Sequence, residues 1–479
     1  MCGIVGLKLR DSRADARALA IGALQRLQHR GQDGAGLTVA TGSQQLETLR
    51  GLGPIPAALH NLATLTPGSA ALAHTRYATT GTGCVGELQP FVQGTPRLAL
   101  AHNGNIVNTA ELSRKYGMDL WSASDLEVLL QLYLRHRNQG FVHALQAVVN
   151  EANGSYALVG LEDQGSLWGL RDPFGLRPLF FAHNESVAIF ASETVAFQGF
   201  EGLEIRELSP GEWVRVYPNP EGSLQIEEGI LRSERNPRRE KKFCMFEQVY
   251  FSSPVSEFQG HAVFTTRFRL GEALAQEILT ELKRLSAEDV FDYVVPVPDT
   301  ARSAAIAVAE SLKVPYREYL VKNPSVQRTF ILPDQAERTA MLKQKWSLVG
   351  PELKGKRILL VDDSVVRGNT CLQMAKQLQS VGARQVSLAS TCPPIRFGCF
   401  YGIDFPDSSE LIASGRSRGD IVQALGLHQI YFLTPDSLKR ALGSDRLCMA
   451  CLDSQYPTQD ASFDEFLIAR RAQRQGDLV

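Results

Sequence analysis

Apolar positions follow two different patterns along this chain. Up to about residue 230 they cluster in short runs bounded by Gly, Asp and Asn: GAGLTVAT, ALAHTRYAT, RLALAHNGNIVN, SYALVGL, SLWGLRD, LRPLFFAH and VAIFAS. Runs of that length between turn residues predict strands joined by hairpin-like connections. Two stretches break the rhythm. ARALAIGALQRLQHR and SDLEVLLQLYLRHR carry apolar residues at helical spacing, and Ser124 is the predicted N-cap of the second. Antiparallel sheets with helices packed outside them follow.

The Pro-containing basic run RSERNPRREKKF, residues 232–243, separates this region from a second one and reads as a solvated boundary. Beyond it, strand, loop and helix alternate. DYVVPVPD precedes ARSAAIAVAESLKV, KRILLVDDS precedes NTCLQMAKQLQSVGA, and RQVSLAST follows. Continuous apolar strands alternating with helices predict a parallel sheet covered on both faces, with ligands at the carboxyl ends of its strands.

Composition narrows the classes. With 479 residues, two or three domains are expected. A formal net charge of -1 gives no global footprint for nucleic acid or an anionic membrane, so small molecules or further copies of the chain are the expected partners. No run approaches the eighteen or so apolar residues of a membrane span. Charges in DSRADARAL interrupt any signal-peptide core, which makes a cytoplasmic location the expectation. There the eight cysteines are expected as thiols, metal ligands or catalysts rather than disulfides.

The most informative local stretch is RILLVDDSVVRGNT, residues 357–370. A buried strand ends in Asp362 and Asp363, which need a cation or sugar hydroxyls to offset their burial. The small-residue loop and helix N-terminus after them suit a phosphate dianion. Sugar hydroxyls beside a phosphate describe a ribose 5-phosphate. The run resembles the phosphoribosyl pyrophosphate (PRPP) signature of type I phosphoribosyltransferases, usually VDDSIVRGTT in the most similar group. The resemblance implies that Asp362 and Asp363 hold ribose and Mg2+, and that Ser364, Val365, Val366, Arg367, Gly368, Asn369 and Thr370 cradle the 5-phosphate. Asn369 stands where Thr is usual. Thr300, ending PVPDT, matches the family's magnesium-contacting hydroxyl.

At the other end, MCGIVG places a cysteine second. If Met1 is trimmed, Cys2 carries a thiol and an α-amino group whose ordinary pKa of about 7.7 to 8.0 suits proton relay at neutral pH. LQHRGQDGAG, HTRYATTG, HNGNIVN, SDLE and RDPFGLRPL, in that order behind MCGIVG, together resemble class II glutamine amidotransferases. These are N-terminal-nucleophile hydrolases of layered α/β/β/α architecture. The resemblance implies Cys2 as nucleophile, Asn103 and Gly104 as oxyanion donors, and Arg76 and Asp125 as the clamps on glutamine's carboxylate and α-ammonium.

CMAC supplies Cys448 and Cys451 at a spacing shared by zinc sites and redox pairs. Cys244 in FCMFEQVYF and Cys399 in GCFYGIDFP are the candidate further ligands, with Cys392 a competitor. These segments resemble those around the [4Fe-4S] ligands in one branch of the glutamine PRPP amidotransferases, which implies a cluster on Cys244, Cys399, Cys448 and Cys451. Zinc on the same thiolates is the second reading.

Nearly the whole chain resembles that family. It implies a glutaminase domain over 2–232, a phosphoribosyltransferase domain over 244–455 and a helical tail over 456–479. Glutamine-derived ammonia would attack PRPP to give 5-phosphoribosylamine, pyrophosphate and glutamate, the first committed step of purine synthesis. A homotetramer inhibited by purine nucleotides is also implied. One loop departs from the family: KNPSVQRTF replaces the usual KNRYVGRTF, keeping Lys322 and Arg328 as PRPP contacts. Two other readings stand beside the main one. They are a paralogue with altered acceptor chemistry, and a non-catalytic binding protein responsive to PRPP or redox state.

Overall fold

In the computed structural model, two antiparallel sheets face each other in the first half of the chain. The model describes residues 1–479 apart from 43–44, 78–83, 220–221, 239, 284–290, 324–345, 406–407, 459, 461 and 476–479, and for 469–475 it describes the backbone alone. One sheet runs in the order Glu204–Glu207, Phe180–His183, Val187–Ala191, Gly3–Leu9, Ala70–Arg76, Gly34–Ala40, Leu46–Leu52. The other runs Leu224–Ile230, Glu212–Pro218, Leu167–Arg171, Gly154–Glu162, Leu98–Ile106, Phe91–Gln93. Their inner faces meet through Ile4, Leu72, Ala99, Ala101, Val159, Phe181, Phe190 and Val214. The approach is close enough that a Cβ on Gly6 would sit 2.7 Å from Val159 Cγ1.

Helices cover the outer faces, as the apolar spacing predicts. Arg17–Gln25 buries Ala20, Ala23 and Leu24 against the first sheet. Asp125–His136 and Phe141–Glu151 lie on the second, around Leu129, Leu145 and Trp168. Ser124 occupies the N-cap position of Asp125–His136, yet its side chain accepts no capping hydrogen bond. Glu127 instead turns back to hold the chain ahead of the helix, accepting from the Trp121 and Ser122 N–H groups at 2.8 and 2.7 Å.

The second half holds a parallel sheet in the order Tyr293–Pro296, Arg357–Asp362, Gln385–Ser390, Ile430–Phe432. Alternation along Arg357–Asp362 sends Leu359 and Val361 to one face and Ile358 and Leu360 to the other. The first face packs on helices Val263–Leu282 and Arg302–Leu312, the second on Asn369–Ser380 and Arg418–Leu425. A 14-residue helix, Ser462–Gln475, follows near the end of the chain. Among the described residues no helix is long and apolar enough to cross a membrane.

The basic run between the halves is pinned more firmly than a solvated linker. Asn236 Nδ2 donates to the Pro173 and Glu240 carbonyls at 2.9 Å, and Lys242 N–H donates to the Phe174 carbonyl at 2.9 Å.

Four fully buried charged side chains join the halves. Arg30 donates from Nη2 to Glu247 Oε1 at 3.0 Å and from Nη1 to Glu247 Oε2 at 3.1 Å, and it also pairs with Glu193. Arg177 Nη1 reaches the same Glu247 Oε1 at 3.3 Å. Burial alone would raise the Glu193 carboxyl, but His29 and Arg30 beside it hold it below the usual carboxylate range. Removing one partner of such a set strands the others without counter-charge. Glu247→Ala is therefore expected to cost about 3 to 5 kcal/mol in denaturant or thermal unfolding of the full chain. Glu318→Ala, which removes an exposed carboxylate shared by Arg302 and the Tyr316 hydroxyl, is expected to cost under about 1 kcal/mol in the same measurement.

Candidate active sites

The strand Gly3–Leu9 pairs antiparallel with Ala70–Arg76, with Gly3 opposite Thr75. Cys2 therefore stands at the sheet end where Arg76 closes its strand. The partly buried Cys2 thiol donates to the Tyr77 carbonyl at 3.9 Å, and Arg30 Nε donates to the Cys2 carbonyl at 2.9 Å. The turn after Arg30 presses on the same strand end. A Cβ on Gly31 would lie 2.4 Å from the Arg76 carbonyl oxygen, so only glycine fits. Arg76 itself is buried and donates from Nη2 to Glu87 Oε2 at 2.8 Å. Two residues earlier, burial pushes the His74 imidazole down to about 3, so it is neutral at physiological pH.

Asn103 and Gly104 lie on Leu98–Ile106 in the facing sheet. Asn103 is 1% exposed, and its Nδ2 has no hydrogen-bond partner among the described residues. A buried amide left unpaired carries the full desolvation penalty, so a donor kept that way is suited to an acceptor that arrives later. Gly104 cannot carry a side chain, since a Cβ would fall 2.0 Å from the Ser155 carbonyl oxygen. Asp125 is fastened to the same strand: its Oδ2 accepts from the Ile106 N–H at 2.9 Å and lies 3.4 Å from His102 Nε2. The two sheets thus contribute a thiol, a guanidinium and an unspent amide donor, and the helix Asp125–His136 adds a carboxylate at its first residue.

The second candidate site lies where ligands are expected, at the carboxyl ends of the parallel strands. Asp362 and Asp363 are buried at the end of Arg357–Asp362. Asp363 accepts from the hydroxyls of Thr300 and Ser364, the latter at 2.8 Å, so two loops meet on one carboxylate. Burial holds the Asp363 carboxyl above its ordinary range, against the downward pull of those hydroxyls and of Arg267. Asp362 accepts from the Asp363 N–H at 2.9 Å and from the Cys371 thiol at 3.7 Å. Gly368, at φ +80, is the N-cap of helix Asn369–Ser380, and Val366 closes the loop by accepting from the Ile412 N–H at 3.0 Å. Arg367 pairs with Glu410 at 3.0 Å and Lys322 with Asp299 at 2.9 Å. Arg328 lies outside the described residues.

The four motif cysteines come together from three segments. Phe243–Cys244 pairs in parallel with Leu447–Cys448, Cys244 opposite Cys448, and Cys451 follows on the short helix Ala450–Asp453. The Cys399 sulfur accepts from the Tyr401 N–H at 3.3 Å, and the Arg396 and Phe397 N–H groups tie its segment to the Cys451 carbonyl at 2.9 and 3.0 Å. Burial pushes the Cys244 thiol up to about 11, and burial likewise raises Cys448 and Cys451, each thiol also feeling the others. Cys392 is within electrostatic reach of Cys451 and also donates its N–H to the Asp363 carbonyl at 2.9 Å. Among the described residues, no three His, Cys, Asp or Glu side chains are arranged to hold one metal ion.

Sequence reasoning quoted the motifs that contain Arg30, Arg177 and Glu247 but gave those residues no task. It also missed Glu193 and Arg267, whose guanidinium holds the Gln248, Tyr250 and Ser252 carbonyls at 2.8 to 3.0 Å. The available signal was charge embedded in apolar motifs such as FCMFEQVYF.

Two family models match the chain: a glutamine amidotransferase domain over residues 74–199 and a phosphoribosyl transferase domain over residues 267–396. The amidophosphoribosyltransferase of Methanothermobacter thermautotrophicus is 37% identical over 473 residues, covering 95% of this chain and 94% of that protein. That of Saccharomyces cerevisiae is 36% identical, covering 93% of this chain and 90% of its own length. A solved structure of glutamine PRPP amidotransferase from B. subtilis, complexed with ADP and GMP, superposes with a TM-score of 0.82 at 34% identity, covering 96% of this chain and 98% of the other. With its layered antiparallel half, its parallel half and this similarity along nearly its whole length, the chain belongs to the amidophosphoribosyltransferase family.

Proposed function

We propose that this chain hydrolyses glutamine at Cys2 and transfers the ammonia to PRPP, forming 5-phosphoribosylamine, pyrophosphate and glutamate in purine synthesis. The observation that carries the first half-reaction is the buried, unpartnered Asn103 Nδ2 on the strand facing the Cys2 sheet end. Excision of Met1, itself buried, frees the Cys2 α-amino group to take the thiol proton. The thiolate adds to the amide carbon, and the oxyanion meets Asn103 Nδ2 and the Gly104 N–H. Ammonia leaves, and water then releases glutamate from the thioester. Arg76 and Asp125 take glutamine's carboxylate and α-ammonium, a recognition that simple amides lack.

In the second half-reaction, the Ser364, Val365, Val366, Arg367, Gly368, Asn369 and Thr370 loop takes the 5-phosphate. Asp362 and Asp363 take the ribose hydroxyls, and Lys322 and Arg328 take the pyrophosphate. Mg2+ needs only one or two protein carboxylates when substrate phosphates complete its shell, and the Asp362, Asp363 and Thr300 set fits that need. When bound, it neutralises charge on the departing pyrophosphate.

Cys244, Cys399, Cys448 and Cys451 are proposed to hold a [4Fe-4S] cluster, a body larger than one ion. Three buried thiols and the partly buried Cys399, within electrostatic reach of one another, support this, and a cluster there would tie three segments of the chain together. Limits of 2–232, 244–455 and 456–479 for two domains and a tail, a cytoplasmic homotetramer, and control by purine nucleotides complete the proposal.

Cys2→Ala is expected to abolish glutamine-dependent glutamate release while ammonia-dependent pyrophosphate release from PRPP persists. Glutamate release by that variant would refute the assignment. Asn103→Ala is expected to lower glutaminase kcat by about 10²- to 10³-fold with little change in KM, read in steady-state assays. Chelation of Mg2+ is expected to stop pyrophosphate release yet leave Cys2 open to alkylation by a diazoketone analogue of glutamine. PRPP binding without turnover in the complete, metal-supplied system would sink the proposed reaction.

A further inference from the structure

The hydrogen bonds that begin at Cys2 do not end in its own sheet. Arg30 Nε donates to the Cys2 carbonyl at 2.9 Å, and Arg30 Nη2 donates to Glu247 Oε1 at 3.0 Å. The same oxygen accepts from Arg177 Nη1 at 3.3 Å. Arg177 Nη2 in turn donates to the Tyr401 carbonyl, and the Tyr401 N–H donates to Cys399 Sγ at 3.3 Å. Arg30, Glu247 and Arg177 are fully buried, so no solvent interrupts the sequence of contacts.

A second set of contacts joins the same two places. Asn105 Nδ2, two residues after Asn103, donates to the Phe400 carbonyl at 2.9 Å. Ser155 Oγ donates to the Tyr401 carbonyl at 3.0 Å. Gly402 lies against Gly104 so closely that a Cβ on it would sit 2.8 Å from the Gly104 carbonyl oxygen. Residues 399–402 therefore touch the strand that carries the oxyanion donors as well as the arginine that leads to Cys2.

Arg177 also keeps a donor unspent. Its Nε is buried and has no partner among the described residues. Burial would lower its basicity, but Cys244, Glu247 and Cys399 around it more than offset that. The guanidinium thus joins the Glu247 carboxylate on one side to the Tyr401 carbonyl on the other.

We propose that Arg177 is a positioning residue for Cys2, coupling the four-cysteine site to the glutaminase nucleophile through Glu247 and Arg30. The Tyr401 N–H is held by Cys399 Sγ and its carbonyl holds Arg177 Nη2, which sets where Nη1 meets Glu247 Oε1 and so how that oxygen is shared with Arg30. The Cys2 carbonyl registers that sharing through Arg30. The proposal rests on the reading of Cys2 as nucleophile.

The test is a double-mutant cycle on the full-length, anaerobically purified protein. The rate of Cys2 alkylation by a diazoketone analogue of glutamine is followed by peptide mass in wild type, Arg177→Lys, Cys399→Ser and the double variant. Each single variant is expected to slow the maximal alkylation rate about fivefold or more, with half-saturation by the analogue unchanged. The double variant should be no slower than the slower single, because both changes break one path. Single variants that react at the wild-type rate, or a double variant slowed by the product of the two single effects, overturn the proposal. If thermal melting shows that Arg177→Lys does not fold, Glu247→Gln replaces it in the cycle with the same expectation. A wild-type protein that is not alkylated at Cys2 overturns the nucleophile reading and this proposal with it, whereas unaffected variants overturn the proposal alone.

Discussion

A charge taken out of water must meet an opposite charge or hydrogen bonds that replace its hydration, and much of this protein is arranged around that requirement. Arg30, Arg177, Glu193 and Glu247 have no solvent exposure at all. Their charge partners come from distant parts of the chain: Arg30 and Glu247 are 217 positions apart, and Arg177 and Glu247 are 70 apart. Such a set forms only when the layered half and the parallel half have docked in one relative position. The Glu193 carboxylate extends it by accepting from the Ser253 N–H at 2.8 Å and the Ser256 hydroxyl at 2.7 Å. Ser253 and Ser256 lie just before helix Val263–Leu282, whose Arg267 reaches electrostatically to Asp363. The docking of the two halves thus fixes both chemical sites against each other.

The sheets explain why the two chemistries sit where they do. An antiparallel sandwich leaves strand ends as edges where a thiol, an amide and a guanidinium from different strands can gather. A parallel sheet gathers loops at its carboxyl edge, where helix N-termini and backbone N–H groups favour anions. One sheet type suits an amide and its oxyanion, the other a sugar phosphate. Cys392 shows how near the second site lies to the thiols, its N–H on the Asp363 carbonyl and its sulfur beside Cys451.

Much of this was legible in the sequence because it is local. Strand runs such as SYALVGL and ILLVDD announce themselves by composition and length, and the Asp362 to Thr370 loop packs its chemistry into consecutive positions. What was not legible depends on partners far away. The helix Val263–Leu282 escaped because buried Thr266, Arg267 and Gly271 interrupt its apolar face, and only the folded chain shows what they meet. Gly271 is there because a Cβ would strike the Ala304 carbonyl oxygen at 2.3 Å. At Ser124 the N-cap position was legible but the side-chain bond was not: the Ser124 carbonyl accepts from the Glu127 N–H at 3.1 Å, while the Glu127 carboxylate holds the Trp121 and Ser122 N–H groups ahead of the helix. The buried arginines were visible as letters, but their roles were defined by carboxylates that no spacing rule connects to them.

The pair of glycines at Gly104 and Gly402 carries one more consequence. They meet backbone to backbone across the two halves, where a single methyl on Gly402 would come within 2.8 Å of the Gly104 carbonyl oxygen. Recombination between this gene and a relative's would therefore be filtered at that seam. A chimera that joins a foreign first half to this second half must place the backbone at position 104 so that it clears Gly402, and must meet the Asn105 contact to Phe400 as well. At that seam each half is shaped to the backbone of the other, which is what separates a fitted pair from exchangeable modules.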